Sequence, residues 1–477
     1  MHTSHPATRS AAELSASFAS GELTPSSVLE HTLASARVAG DEFNAIIHLE
    51  VDGARHAARA STERWRSGEP LGALDGVPIS IKDSFHVKGM PRRHGSAAHV
   101  ETISVIDSAP VQRVKDAGLV VFAKTTMPDF GLLGSGLSSA YGIVRNPWSP
   151  DLTPGGSSSG AGALLAAGVG PLALGTDIAG SVRLPAAHCG LAALKPTQGR
   201  IAYAPASSIR SAGVMARTVD DLEALLTVVG RSDESDPMCL PGGYEIPSPA
   251  RSLAGLSVAV VTDMGTGMRP EESALDAVAA ASAVLAGHGA TIHEVALDVD
   301  ARDAEALQSM FAMRGVAELH GVTPAQRSLL HPRIAEWIEM AYGLSGLSYA
   351  HALERVDQAR EKVRSRLVAY DLVLSVAIPV VAFPATEPAP IGAISTFDHA
   401  HFLAWFNQTG QPSGVVRAGV SSEGLPVGVQ LAGRRFDDSL VLEAMRVIES
   451  ATAAIAYPFI EVPIGPVTEA HPAEARA

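Results

Sequence analysis

Val77, Ile79 and Ile81 alternate with other residues along Gly76–Lys82, a spacing that predicts a buried strand. Ala117–Lys124 and Ser257–Thr262 read as further buried strands, followed by Thr291–Leu297, Asp371–Leu374 and Gly424–Gln430. Helical patterns lie between them. Ser10-Ala-Ala-Glu13 has the form of a capping box. Thr24-Pro25 places a cap before a proline at the first helical position, opening a helix through Arg37. Shorter helices are predicted over 111–116, 271–287 and 438–451, and 304–368 reads as mostly helical with charges on its outer faces. Strands interleaved with helices make the fold class α/β.

Composition bounds what such a fold does. The chain has 477 residues, 46% of them hydrophobic and only 18% charged, and a mean hydropathy of +0.17. Repeats, long linkers and composition breaks are missing, so one domain over 1–466 is expected, with 467–477 a frayed polar tail. The net charge of −14 argues against nucleic acid or an anionic membrane as partner. Cys189 and Cys239 belong to no CxxC, and no HExxH occurs, so a disulfide framework or a zinc site is not expected. Met1–Leu14 lacks a basic segment followed by an apolar run. The longest apolar stretch, Ala161–Leu174, is interrupted by Gly168, Gly170 and Pro171 and is too short for a bilayer. The expectation is a soluble, cytoplasmic protein.

Nine of the 44 glycines fall between Gly155 and Gly190, which draws attention to one region. It holds Pro154-Gly-Gly-Ser-Ser-Ser-Gly-Ala-Gly162 and Gly175-Thr-Asp-Ile-Ala-Gly-Ser-Val-Arg-Leu-Pro185. A flexible linker would not lead straight into apolar Ala161–Ala167. A phosphate loop would end in Gly-Lys-Ser/Thr, and this one does not. Gly156-Ser-Ser-Ser-Gly160 matches G-x-S-x-G with Ser158 as nucleophile, but that motif needs a strand before it. Pro147, Pro150 and Pro154 rule out a central strand there.

Taken together, the two segments resemble the signature of the amidase signature family. Lys82 in Gly76-Val-Pro-Ile-Ser-Ile-Lys-Asp83 is similar to the family's catalytic lysine segment. Lys124–Phe130, Arg145–Trp148, Leu194–Arg200 and Gly424–Gly433 add matches in the family's order, so the resemblance covers roughly residues 10–460. It implies a large mixed central β-sheet covered by helices on both faces, with a signature core at about 70–215. It further implies Ser181 as nucleophile, Ser157 as a bridging serine that follows a cis peptide bond, and Lys82 as base. The backbone N–H groups of Ile178, Ala179, Gly180 and Ser181 would form the oxyanion hole. Ser159 and Ala179 depart from the family by standing where glycine is common, and the Ala179 methyl would narrow the acyl pocket.

Met127, Ser158, Thr176, Asp177 and Arg200 are candidate substrate contacts. Asp177 is also read with Arg183 as bracing the nucleophile loop, and Arg200 either lines the entrance or pairs with an acid. His188 and Cys189 read as packing residues. Segments 127–136, 203–211 and 310–314 would shape the acyl side.

These residue types suit amide cleavage. The serine must lose a proton to attack and the leaving amine must gain one. A lysine serves as base only when neutral, and burial at the end of an apolar strand favours the neutral form. Strand alternation turns Lys82 and Asp83 to opposite faces. Backbone donors would hold the oxyanion, and each is typically worth about 2.7–4 kcal/mol in the transition state. No metal and no organic cofactor is called for. The expected activity is a serine hydrolase of linear or aryl amides, extending to carbamates and esters, with a small-molecule substrate. A homodimer is compatible with this reading, and the oligomeric state is left open. One alternative is the glutamine-hydrolysing component of an amidotransferase complex. The apolar run Ser375-Val-Ala-Ile-Pro379 favours an apolar substrate over glutamine. Another is a dead binding protein on the same fold, against which the complete Lys82, Ser157 and Ser181 set argues.

Overall fold

A computed structural model describes residues 5–393 and 395–462. The expected tail at 467–477 lies outside the described residues. The strands are β1 (Ile46–Leu49), β2 (Pro78–Lys82), β3 (Val120–Thr125), β4 (Leu172–Asp177), β5 (Ala192–Lys195), β6 (Ser211–Ala216), β7 (Ser257–Val261), β8 (Thr291–Glu294), β9 (Leu372–Val376), β10 (Ser413–Val420) and β11 (Pro426–Gly433). They join one 11-stranded sheet in the order β1-β3-β2-β4-β6-β5-β10-β11-β9-β7-β8. The sheet is mixed: β2 runs parallel to β3 and β4, whereas β6 is antiparallel to β4 and β5.

Period-two alternation sorts the strand side chains into two cores. Ile79, Ile81, Leu172, Leu174, Val214 and Val416 join the cluster that also holds residues of the helices Glu272–Gly287 and Asp438–Ala451. Ala173, Ala193, Met215 and Val415 face the other way, toward Ser159–Ala166 and Arg183–Cys189. Helices therefore cover both faces, as an α/β sheet with buried strands requires. Among the described residues, no helix is long and apolar enough to cross a membrane.

The Ser10–Glu13 capping box forms in full ahead of α1 (Ala11–Ser20). The helix opened by Thr24 runs to Phe43 as α2 (Pro25–Phe43), beyond the expected Arg37, because Val38, Ala39 and Phe43 continue the apolar pattern. Asn44, at φ 54°, ends it. The predicted strands at 76–82 and 117–124 start late, at Pro78 and Val120, because Gly76 and Gly118 turn the chain at φ 85° and 80°. The strand expected over 291–297 stops at Glu294. The stretch 304–368 divides into helices Ala301–Glu318, Pro324–Arg327, Pro332–Tyr342 and Gly346–Leu367.

Strands β1, β4, β5, β6 and β10 carry no clear signal in the sequence. Glycine and alanine are frequent in β4, β5, β6 and β10, and β4, β5 and β6 are buried on both faces, so no polar–apolar alternation marks them.

Candidate active site

The C-terminal ends of the neighbouring parallel strands β2 and β4 bring Lys82 beside Thr176. Alternation sends Ile79 and Ile81 into the core and Lys82 away from it, with no exposed surface. Its Nζ donates to Ser157 Oγ at 2.7 Å and to Thr176 Oγ1 at 3.1 Å. Burial pulls the lysine pKa down to about 7, against the opposing pull of the Asp177 and Asp83 carboxylates. Asp83 itself turns to the other side, where Lys124 Nζ reaches it at 3.2 Å.

Ser157 follows a cis Gly156–Ser157 peptide, at the entry to α3 (Ser159–Ala166). Glycine at 156 is a matter of space: a Cβ there would stand 2.4 Å from the Ser135 carbonyl oxygen and 2.8 Å from that of Leu133. Ser159, where the family commonly has glycine, uses its hydroxyl to donate to the Ser135 carbonyl at 3.3 Å.

Ser181 sits on the loop between β4 and α4 (Arg183–Cys189). Ser158 N–H donates to the Ser181 carbonyl at 3.0 Å and ties the two serine segments together. The Asp177 carboxylate holds the loop by accepting from Gly180 N–H at 2.9 Å and from Val182 N–H at 3.2 Å. Arg183 grips the same carboxylate with Nη2 at 2.8 Å and Nε at 3.1 Å. Burial by itself would raise the Asp177 pKa, but Arg183, the Asn407 amide and Gly180 N–H outweigh it and hold the carboxyl well below its ordinary range. Asp177 is thus the brace of the loop and does not line the cavity.

Gly180 departs from the expected oxyanion set. Its N–H is occupied by Asp177. At φ +109° it packs so closely on Leu403 that a Cβ would lie 2.4 Å from Leu403 Cδ1. Ile178, Ala179 and Ser181 line the cavity, and their N–H groups have no partner among the described residues. The Ser157 and Ser181 hydroxyls both line this cavity, and no hydrogen bond links them directly. Ser181 keeps 7% of its surface exposed.

The cavity wall also includes Met127, Phe130, Leu132 and Leu133, then Tyr203 and Arg210, then Phe311 and Arg314. Each of the three segments expected to shape the acyl side contributes. Thr176 lines it as expected. Ser158 and Arg200 do not. The Ser158 side chain is buried against Gly175, where a Cβ would come within 2.7 Å of its Oγ. Arg200 Nε stands 3.9 Å from the Asp438 carboxylate, the second of its two expected roles. Ser375 is also away from the wall and accepts a hydrogen bond from Gln430 Nε2, so this run bears on the core and not on the substrate.

His188 and Cys189 pack as expected, His188 Nδ1 lying 2.7 Å from the Val381 carbonyl oxygen. Trp337 on the helix Pro332–Tyr342, together with His94 and the run from Thr396 to Ala400, completes the wall without any motif to announce it. No group of three His, Cys, Asp or Glu among the described residues is placed to hold a metal ion.

Residues 27–442 match the model of the family described as Amidase. A component of the glutamyl-tRNA(Gln) amidotransferase of Chloroflexus aggregans is 33% identical over 89% of this chain and 92% of its own length. An acylamidase from Rhodococcus erythropolis is 31% identical over 91% and 93%. Among solved structures, a bacterial aryl acylamidase of the amidase signature family superposes with a TM-score of 0.85 at 25% identity, covering 94% of this chain and 96% of that one.

Proposed function

The chain belongs to the amidase signature family and is an amide hydrolase, and from that premise we propose that it works through an acyl-enzyme on Ser181. Neutral Lys82 takes the proton of Ser157 as the Ser157 hydroxyl takes that of Ser181. The freed Ser181 oxygen attacks the amide carbon. The carbonyl oxygen becomes an oxyanion, received by the N–H groups of Ile178, Ala179 and Ser181. The proton returns through Ser157 to the leaving nitrogen, the C–N bond breaks, and water then hydrolyses the ester on Ser181 by the same relay.

The observation that carries this reading is the 2.7 Å contact between a fully buried lysine and a serine hydroxyl at the cavity. The relay requires the Ser157 and Ser181 hydroxyls to meet, which a staggered side-chain rotation allows. The apolar walls suit linear and aryl amides, with carbamates and esters as further substrates. The reading extends to one catalytic unit over residues 1–466, a cytoplasmic location and assembly as a homodimer, which light scattering would test.

Replacing Ser181 by Ala lowers hydrolysis of a 4-nitroanilide by roughly 10⁴-fold or more. Full activity in that variant refutes the assignment. The glutamine-hydrolysing component of an amidotransferase is the second reading, favoured by the 33% identity to such a component. Turnover of L-glutamine by the isolated chain in excess of anilide turnover would put it first.

A further inference from the structure

The cavity onto which Ser181 opens also holds two guanidinium groups that the reaction above does not use. Arg314 projects from the helix Ala301–Glu318, half-buried in the wall, and makes no hydrogen bond or ion pair with any described residue. Arg210 stacks over the Tyr203 ring at 4.7 Å and donates from Nη2 to the Pro205 carbonyl at 3.0 Å. Its Nε is buried and unpartnered. The one carboxylate of the wall, Glu318, pairs with neither arginine and lies 3.8 Å from His94 Nδ1. Burial and the charge of Arg210 both lower the pKa of Arg314, so the two cations feel each other.

A guanidinium stays charged at every working pH, and leaving two of them together without a counter-ion is costly. A third donor stands in the same wall: the indole N–H of Trp337, 5% exposed, has no partner. Such a set fits an anion with planar oxygen acceptors. Resting on the hydrolase reading, we propose that the substrate amide carries a carboxylate, which Arg314 and Arg210 hold while Ser181 attacks the amide.

Two matched pairs of amides test this with the full-length chain. One compares N-(4-nitrophenyl)succinamate with 4-nitrobutyranilide, placing the carboxylate on the acyl side. The other compares 4-acetamidobenzoate with 4-methylacetanilide, placing it on the amine side. The carboxylate member of at least one pair should have a kcat/KM at least about tenfold higher. That ratio should fall to about one in Arg314→Gln and recover in part in Arg314→Lys. Equal rates within both pairs, or a preference that survives both Arg314→Gln and Arg210→Gln, overturns the proposal. Calorimetric binding of the same four compounds to the Ser181→Ala chain separates the two levels. Tighter binding of a carboxylate compound, lost in the Arg314→Gln double variant, supports the clamp even if wild-type turnover fails and the hydrolase reading falls. Equal binding of all four removes the clamp while leaving the hydrolase reading intact.

Discussion

Three lysines, Lys82, Lys124 and Lys195, are fully buried, and burial lowers the pKa of each. Their partners separate them. Lys124 is fixed by the Asp83 carboxylate and by the carbonyls of Phe85 and Pro91 at 2.9 and 3.0 Å. Lys195 donates to the Pro196 carbonyl at 2.8 Å. Lys82 alone of the three reaches a hydroxyl on the cavity. Since the base must be neutral and its pKa is about 7, kcat/KM for a neutral anilide should rise with pH through an inflection near 7 and fall tenfold per unit well below it. Lys82→Arg, which stays protonated, should lose activity by roughly 10³-fold or more. A rate flat from pH 5.5 to 8.5 would contradict a lysine base. At this scale the sequence was informative for Lys82, Ser157 and Ser181, which stand in motifs. It was silent on Ser158 and Arg200, because a motif position does not reveal whether a side chain faces a cavity or Gly175 and Asp438.

The element that holds the nucleophile is the turn from β4 into α4, and it is anchored from afar. Arg183 Nη1 donates to the Leu403 carbonyl at 3.0 Å and to Gln430 Oε1 at 2.7 Å, and Nη2 to Asn407 Oδ1 at 2.6 Å. These partners come from the helix His401–Gln408 and from β11, neither close in sequence. Arg183→Met would leave the Asp177 carboxylate buried and unpaired, which should cost about 3–5 kcal/mol in denaturant unfolding. A loss below about 1 kcal/mol would show that the turn stands without its anchor. Gly156→Ala tests the other serine turn. Its methyl meets two carbonyl oxygens, so a loss of about 1–3 kcal/mol with at least a tenfold drop in kcat is expected, read by thermal unfolding and anilide turnover. The glycines here were legible as a cluster, but the reason for each was not. Gly180 is required by the contact with Leu403, and its N–H serves Asp177, so the inference from glycine to oxyanion donor failed at that residue.

Across the whole molecule, the pattern of apolar positions located strands and helices but not which of them would meet. β4 is flanked by β2 and β6, and the cavity wall runs from Ser84 to Ala400 in the sequence. Local periodicity carries no record of such long-range pairing, and strands buried on both faces lack even the local signal. The family motifs supplied what periodicity did not, since they mark residues that converge at the ends of β2 and β4. The helix carrying Trp337 lies outside every motif, which is why that wall was invisible beforehand. The assembled site makes one claim above the others, that the serine at the head of α4 is the nucleophile reached through this cavity. Labelling the intact chain with a fluorophosphonate, followed by peptide mapping, tests it most directly. A single adduct is expected on the peptide containing Ser181, lost in Ser181→Ala and slowed in Lys82→Ala. An adduct on Ser158, or undiminished labelling of Ser181→Ala, would contradict it.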